Sequence, residues 1–344
     1  MKKWISLSIV AVLALSLGAC GGGNKQTAAG AKDVSPNASS KESSGKEKYP
    51  NKPISVIVSF AAGGGMDVGA RVLTPYLEKE LGVPVVVVNK PGAGGWIGWN
   101  ELVTAKPDGY TIGYLGTPNL MTGYLDPKQK RKENLDSFTM IAKHVTDPGT
   151  ISIRKDETRF KNIKELVDYA KTHEVTVTTT GVGSDDHIAA LKLNKKFGTK
   201  FKAVHTNGSA EEVTMALGGH VDVLFANVVD VINLQKENQL NVLAVMSEER
   251  SSLMPNVPTL KESGFTGVTS SAERGFAAPK GLDSEKLAVL QAAFEKAIND
   301  KEQVKKQAES GLQVDYRNND DYKKQLKEIE AGLLEIRDLL GWQE

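Results

Sequence analysis

From residue 54 onward one unit recurs and constrains the fold more than any other feature: a short β-branched run, a glycine-rich turn, then an apolar pattern at helical spacing. The run over 54–60 reads as a strand, and the helix beyond its turn carries Val68, Val72, Leu73, Tyr76, Leu77 and Leu81 on one side. Further strands are predicted over 83–89 and 110–115. A second set follows, with helical stripes at Ile163, Leu166, Val167 and Ala170 and at Val213, Ala216 and Leu217. Its strands are predicted over 175–180, 201–205, 221–226 and 240–246. Past Pro279 come two amphipathic helices, one with Leu287, Leu290, Phe294 and Ile298, the other running from Tyr322 to Leu340. Such alternation predicts an α/β fold with largely parallel sheets. Two sets and a late helical return, in a body long enough for two cores, suggest two lobes that the backbone crosses between more than once.

The N-terminus reads differently. Lys2 and Lys3 precede an apolar run over 5–17, and Leu17-Gly18-Ala19-Cys20 closes it with small residues. This is the pattern of an export signal over 1–19, too short to span a bilayer comfortably. Leu-Gly-Ala-Cys resembles the lipobox of bacterial lipoproteins, which implies a diacylated Cys20 as the new N-terminus; an ordinary signal peptide with a chance cysteine is the alternative. Cys20 is the lone cysteine, so no internal disulfide is expected. Residues 20–48, rich in Gly, Ser and Lys, read as a flexible tether. A formal net charge of +1 and the lack of a basic stripe with aromatics argue against nucleic-acid binding.

Four loops carry the candidate chemistry. In Ala62-Gly63-Gly64-Gly65-Met66-Asp67, successive glycines let backbone N–H groups converge at a helix N-terminus, which favours an anion. The Gly-Lys-Ser/Thr ending of a nucleotide loop is missing, and no cofactor is expected. Asp67 reads more readily as a helix cap than as a ligand contact. Gly181-Val182-Gly183-Ser184-Asp185-Asp186-His187 follows the next set's first strand. Ser184 as nucleophile with His187 as base would make a hydrolase, but serine and histidine three apart on one turn suit that relay poorly. Metal binding by His187 with the two aspartates is a further alternative, although three neighbours rarely close a site. Trp96 and Trp99 beside Gly92-Ala93-Gly94-Gly95 either wall a pocket or pack lobe on lobe. Asn227, after the 221–226 strand, offers both a donor and an acceptor.

At these loops the chain resembles the tripartite tricarboxylate transporter solute-receptor family, also called the Bug family. The matching motifs are Tyr49-Pro50, Pro53-Ile54, the glycine loop with Asp67, Val88-Asn89-Lys90-Pro91-Gly92-Ala93-Gly94-Gly95 and Lys106-Pro107-Asp108-Gly109-Tyr110-Thr111. Further on come Gly183-Ser184 with His187, Leu217-Gly218-Gly219-His220-Val221-Asp222 and Pro255-Asn256-Val257-Pro258-Thr259-Leu260. The resemblance implies a two-lobed periplasmic-binding-protein clamp of type II-like form, hinged between lobes 49–146 plus 274–344 and 147–273. It implies a small carboxylate held by backbone amides of the two glycine loops, Ala62 to Asp67 and Gly183, Ser184, Asp185 and His187, with Thr117, Asn207 and Asn227 as polar contacts. It also implies delivery to integral-membrane transporter subunits from an extracytoplasmic, lipid-anchored, monomeric position. The alternative is a sensor subunit signalling to a membrane partner. Asp185 and Asp186 depart from the small or proline residues common in the family. Two acids beside an anion loop either face outward as helix caps or select a ligand carrying an amine or a metal.

Overall fold

The computed structural model describes residues 48–342, so the expected signal, the expected lipidation at Cys20 and nearly all of the expected tether lie outside the described residues. Ile54–Val58 (β1) is flanked in parallel by Val85–Asn89 (β2) and Thr111–Thr117 (β3). Gly65–Leu81 (α1) connects the first pair, burying Ala70, Leu73, Leu77 and Leu81 at helical spacing and ending on Gly82 at φ 72°. Pro75 lies inside α1, where its ring removes a helical N–H; the Thr74 hydroxyl donates instead to the Arg71 carbonyl at 3.3 Å. Trp96–Thr104 (α2) and Asn119–Leu125 (α3) flank β3 in the chain.

The sheet then stops being parallel. Phe138–Arg154 (β4) is one 17-residue strand that pairs antiparallel with Ser271–Pro279 (β9) and Gln313–Asn318 (β10). Its far end pairs with Leu224–Asn227 (β7) and Leu240–Val245 (β8), also antiparallel. The expectation of largely parallel sheets is therefore corrected, and the reason is topological. β4 carries the chain out of one lobe and β9 returns it, so the two run in opposite directions.

Between them, Ile163–Thr172 (α4), Val175–Thr179 (β5), Asp185–Phe197 (α5), Phe201–His205 (β6), Ser209–Leu217 (α6) and Val228–Lys236 (α7) build the second lobe. Ser284–Ile298 (α8), Lys301–Glu309 (α9) and Asn319–Glu335 (α10) close over the first. Leu73, Leu77, Phe276, Phe294 and Tyr322 belong to the first lobe's core. Ile151, Leu166, Val177 and Phe225 belong to a separate core in the second. Among the described residues no helix is long and apolar enough to cross a membrane.

β4 changes partners at Asp147-Pro148-Gly149. Pro148 faces Ser271 of β9, while the Gly149 N–H donates to the Ser270 carbonyl at 2.9 Å. A Cβ on Gly149 would lie 2.8 Å from Met246 and from Ser270. One strand bends from lobe to lobe there without losing its ladder. Just before the switch, buried Lys143 of β4 pairs with Glu273 of β9 and Asp315 of β10, both at 2.5 Å. The crossing strands are thus joined by charge as well as by backbone.

Candidate functional site

The first wall is the start of α1. Gly64 is the N-cap and supplies no side-chain cap, so the first N–H groups of the helix point beyond it. The loop before it is braced by Asp67, which accepts from the Gly63 N–H at 3.0 Å, from Asn89 Nδ2 at 2.9 Å and from Arg71 Nε at 2.8 Å. Burial works against that charge, yet these bonds hold the carboxyl below its usual range. The Gly65 N–H crosses to Ser209 Oγ of the second lobe at 3.3 Å. A Cβ on Gly64 would come within 2.8 Å of Ser209 Oγ, and one on Gly65 within 2.4 Å of Val229. The α1 backbone meets facing side chains here at a distance that only glycine allows.

The opposing wall is where α5, α6 and α7 begin. Ser184 caps α5 by accepting from the His187 N–H at 3.2 Å, and His187 Nδ1 accepts from the Gly183 N–H at 3.0 Å. Burial and neighbouring His205 lower the His187 ring to about 4, so it is neutral at physiological pH. Asn227 starts α7. Its Nδ2 donates to the Asp147 carbonyl at 3.1 Å and to Asp185 Oδ2 at 2.9 Å.

Between these walls lies a cavity of ≈ 40 Å³, whose lining includes Gly64, Gly65, Met66, Thr117, Asp185 and Arg274. A second chamber of ≈ 310 Å³ shares Thr117 and Asp185 with it. Arg274, on β9, is 3% exposed. Its Nη2 approaches Asp147 Oδ2 at 2.7 Å, an ion pair whose N–H is poorly aligned for a hydrogen bond, and it reaches Asn227 Oδ1 at 3.4 Å. Nε and Nη1 are buried with no partner.

Carboxyls outnumber this one guanidinium. Asp147, Asp185, Asp186 and Glu212 are buried, and half-buried Asp230 bonds to Ser209 Oγ at 2.7 Å. Burial pushes Asp147 up to about 8, against the pull of Arg274. Burial likewise raises Asp185 and Asp230. Asp186 and Glu212 are held well above the carboxylate range by burial and then by neighbouring carboxyls, each other included for Glu212. Neither side chain has a hydrogen-bond partner on either oxygen.

The sequence profile described as "Tripartite tricarboxylate transporter family receptor" matches residues 69–334. The chain belongs to that receptor family. Among its relatives, the "UPF0065 protein in gbd 5'region" of Cupriavidus necator is 30% identical over 280 residues, covering 80% of this chain and 84% of that one. "Protein BugT" of Bordetella pertussis is 30% identical over 271 residues, covering 77% and 82%. Among solved structures, the periplasmic binding protein BugD superposes with a TM-score of 0.79 at 28% identity, over 86% of this chain and 99% of that one. MatC of Rhodopseudomonas palustris, with bound malate, gives 0.76 at 26% identity, over 85% and 100%. The receptor thus has the two-lobed fold of periplasmic solute-binding proteins.

In this receptor the residues singled out from sequence divide into two groups. Gly64, Gly65, Met66, Thr117, Asp185 and Asn227 come together around the inner cavity. Gly63, Asp67, Gly183, Ser184 and His187 hold the loops in shape through the bonds above. Ala62 is exposed in the first loop. Asn207 is exposed, and its N–H donates to Glu211 rather than toward the cavity. The outward reading of Asp185 and Asp186 is overturned: they are 6% and 0% exposed, because α6 and α7 pack over the start of α5. Trp96 and Trp99 lie in the first lobe's core, and Arg131 stacks over Trp96 at 4.4 Å. Arg274 escaped the sequence reading altogether. The available signal was an arginine immediately before the apolar stretch Gly275-Phe276-Ala277-Ala278-Pro279.

Because Ser184 Oγ serves the His187 backbone and the His187 ring serves Gly183, the two side chains do not form a nucleophile–base pair. Ser184→Ala should therefore act as loss of a cap, costing about 1 kcal/mol of stability in urea denaturation. A change of less than a few tenths would show that the α5 start is held by something else.

Proposed function

We propose that this receptor captures a small carboxylate between its lobes and delivers it to a membrane transporter of the tripartite tricarboxylate type. The observation that carries this reading is a cavity between the lobes, lined by Gly64, Gly65 and Met66 at the start of α1 and by buried Arg274. Malate bound to MatC, a relative in fold and sequence, is in keeping with it. In this reading the lobes are 49–146 plus 274–344 and 147–273, hinged where β4 and β9 cross. Gly64, Gly65, Met66, Thr117, Asp185, Asn227 and Arg274 contact the ligand, while Ala62, Gly63, Asp67, Gly183, Ser184 and His187 shape the two loops. Delivery proceeds from outside the cytoplasm, with a monomer tethered to the membrane through a lipidated Cys20.

Calorimetric titration of the protein with malate, adipate, citrate and amino-carboxylates tests the capture step. At least one should bind with 1:1 stoichiometry, and failure of all of them would sink the reading. Gly65→Ala adds a Cβ against Val229 of the second lobe and against Arg274 of β9. The fold should survive while closure is hindered, so affinity for whichever acid binds should fall at least ~5-fold, since overpacking a close contact costs about 1–3 kcal/mol. Unchanged affinity would mean that the lobes do not close at this point.

A further inference from the structure

We propose that a separate pocket beside Arg131 takes the phosphate-bearing headgroup of an anionic phospholipid. This goes beyond the receptor reading and does not depend on which acid the inner cavity holds. The pocket, of ≈ 240 Å³, is lined by Gly94 and Trp96, by Thr122 and Gly123 of α3, and by Arg131. Val182 and Gly183 reach it from the second lobe. It is divided from the inner cavity by bonds that cross between the lobes. Asn119, the one described residue on both linings, donates through Nδ2 to the Thr180 carbonyl at 3.1 Å, and Thr122 Oγ1 donates to the Gly183 carbonyl at 3.1 Å.

Arg131 supplies the charge. Its guanidinium lies over the Trp96 ring at 4.4 Å, and among the described residues it makes no ion pair and no hydrogen bond. Nε is buried, while the Nη nitrogens stay open to solvent. Stacking occupies the face of a guanidinium and leaves its in-plane donors free, an arrangement that suits a phosphate. One acid, Asp126, shares the lining, but it makes no ion pair with Arg131. Its carboxyl accepts from the Lys128 N–H at 3.0 Å and from Gln129 Nε2 at 3.4 Å.

The rim is basic. Lys128, Lys130 and Lys132 are exposed on either side of Arg131. Lys128 Nζ donates to the Gly341 carbonyl at 3.1 Å, and Glu133 spends Oε2 on the Lys132 backbone N–H at 3.2 Å. Among the described residues neither Lys130 nor Lys132 is ion-paired, whereas Lys164, Lys171, Lys202 and Lys261 on the second lobe each hold a carboxylate. A cluster of unpaired cations of this kind is drawn to an anionic membrane surface. Apolar groups favour a lipid over a free phosphate ester. Leu340 and Trp342 line the same pocket, and Val182 beside them is 65% exposed. The glycerol and first acyl carbons of a phospholipid would cover them.

The test titrates the full chain by calorimetry with dihexanoyl phosphatidylglycerol below its micelle concentration. Dihexanoyl phosphatidylcholine keeps the tails and the phosphate but adds a compensating cation, and glycerol 3-phosphate keeps the phosphate without tails. Phosphatidylglycerol should bind 1:1 and at least ~10-fold tighter than either, the loss expected for a charge-assisted contact. Arg131→Gln should weaken it at least ~10-fold and Arg131→Lys less, with affinity for whichever acid the inner cavity binds unchanged. The double variant Lys130→Gln, Lys132→Gln changes only exposed, unpaired side chains, so it tests the charge even where Arg131→Gln does not fold; it should weaken binding about 5-fold or more. Equal binding of phosphatidylcholine would make this an apolar cleft, and equal binding of glycerol 3-phosphate a free-phosphate site. Either result, no binding at all, or binding indifferent to these cations would overturn the proposal and leave the receptor reading intact.

Discussion

Arg274→Gln should abolish measurable carboxylate binding and lower stability by about 1–3 kcal/mol at pH 8, because it leaves the buried Asp147 carboxyl without the group that faces it. The stranded group is Asp147, fully buried, with Arg274 at 2.7 Å and a backbone N–H from Val229 at 3.4 Å. At pH 5.5 the loss should be smaller. Asp147, raised to about 8 by burial even beside the guanidinium, is protonated in both proteins at that pH, so only the part of the loss that does not depend on its charge remains. Denaturant unfolding of both proteins at the two pH values reads this directly. Asp147→Asn in the Arg274→Gln background should recover most of the stability and none of the affinity, which separates the structural role from the binding role. Arg274→Lys should restore charge but not the fork, so stability returns in part and binding stays weak. If Arg274→Gln were as stable as the parent at pH 8, the guanidinium would not be the counter-charge of Asp147.

What the sequence could and could not disclose follows from how local each feature is. The start of α1 and strands such as Phe201–His205 depend on neighbours in the chain, and pattern alone located them. β4 was missed because Asp147-Pro148-Gly149 has the composition of a turn. It remains a strand because the proline and glycine sit where the strand trades one set of partners for another. β9 and β10 were missed as well, since their partners are distant in sequence. The same distinction decides the site. Capping logic for Asp185 and Asp186 uses only α5, but Glu212 and Asp230, which share their buried space, arrive from α6 and α7. Arg274 faces Asp147 across more than a hundred residues of chain, and no local pattern marks such a pair. A buried charge is a tertiary fact.

The unliganded protein should lose stability as pH rises from about 6.5 to 8, and Glu212→Gln should flatten that fall. A carboxyl whose folded pKa lies above its unfolded value binds its proton more tightly when folded. Its stabilising contribution is therefore complete at low pH and is lost as pH climbs through the folded pKa. Asp147, raised by burial to about 8, and Asp186 and Glu212, raised well above the usual range by burial and then by neighbouring acids, all act in this sense. The histidines act oppositely. His144, lowered to about 3 by burial and Arg274, His187, lowered to about 4, and His205, lowered by burial, add stability as pH rises toward their unfolded value near 6.5. Below that point the two sets offset each other. Above it the histidines are spent and the carboxyls remain. One proton lost over this window corresponds to about 2 kcal/mol, at roughly 1.36 kcal/mol per pH unit, which should appear as a Tm lower by several degrees at pH 8. Glu212 has no hydrogen-bond partner on either oxygen, so an amide gives up no contact there. Glu212→Gln should therefore raise Tm at both pH values, more at pH 8 than at pH 6, and shrink the difference between the two; Asp186→Asn should do the same. A Glu212→Gln protein destabilised at pH 8 would mean that the carboxylate is charged and holds a cation, so that the space between α5 and α6 is an ion site rather than a store of protons.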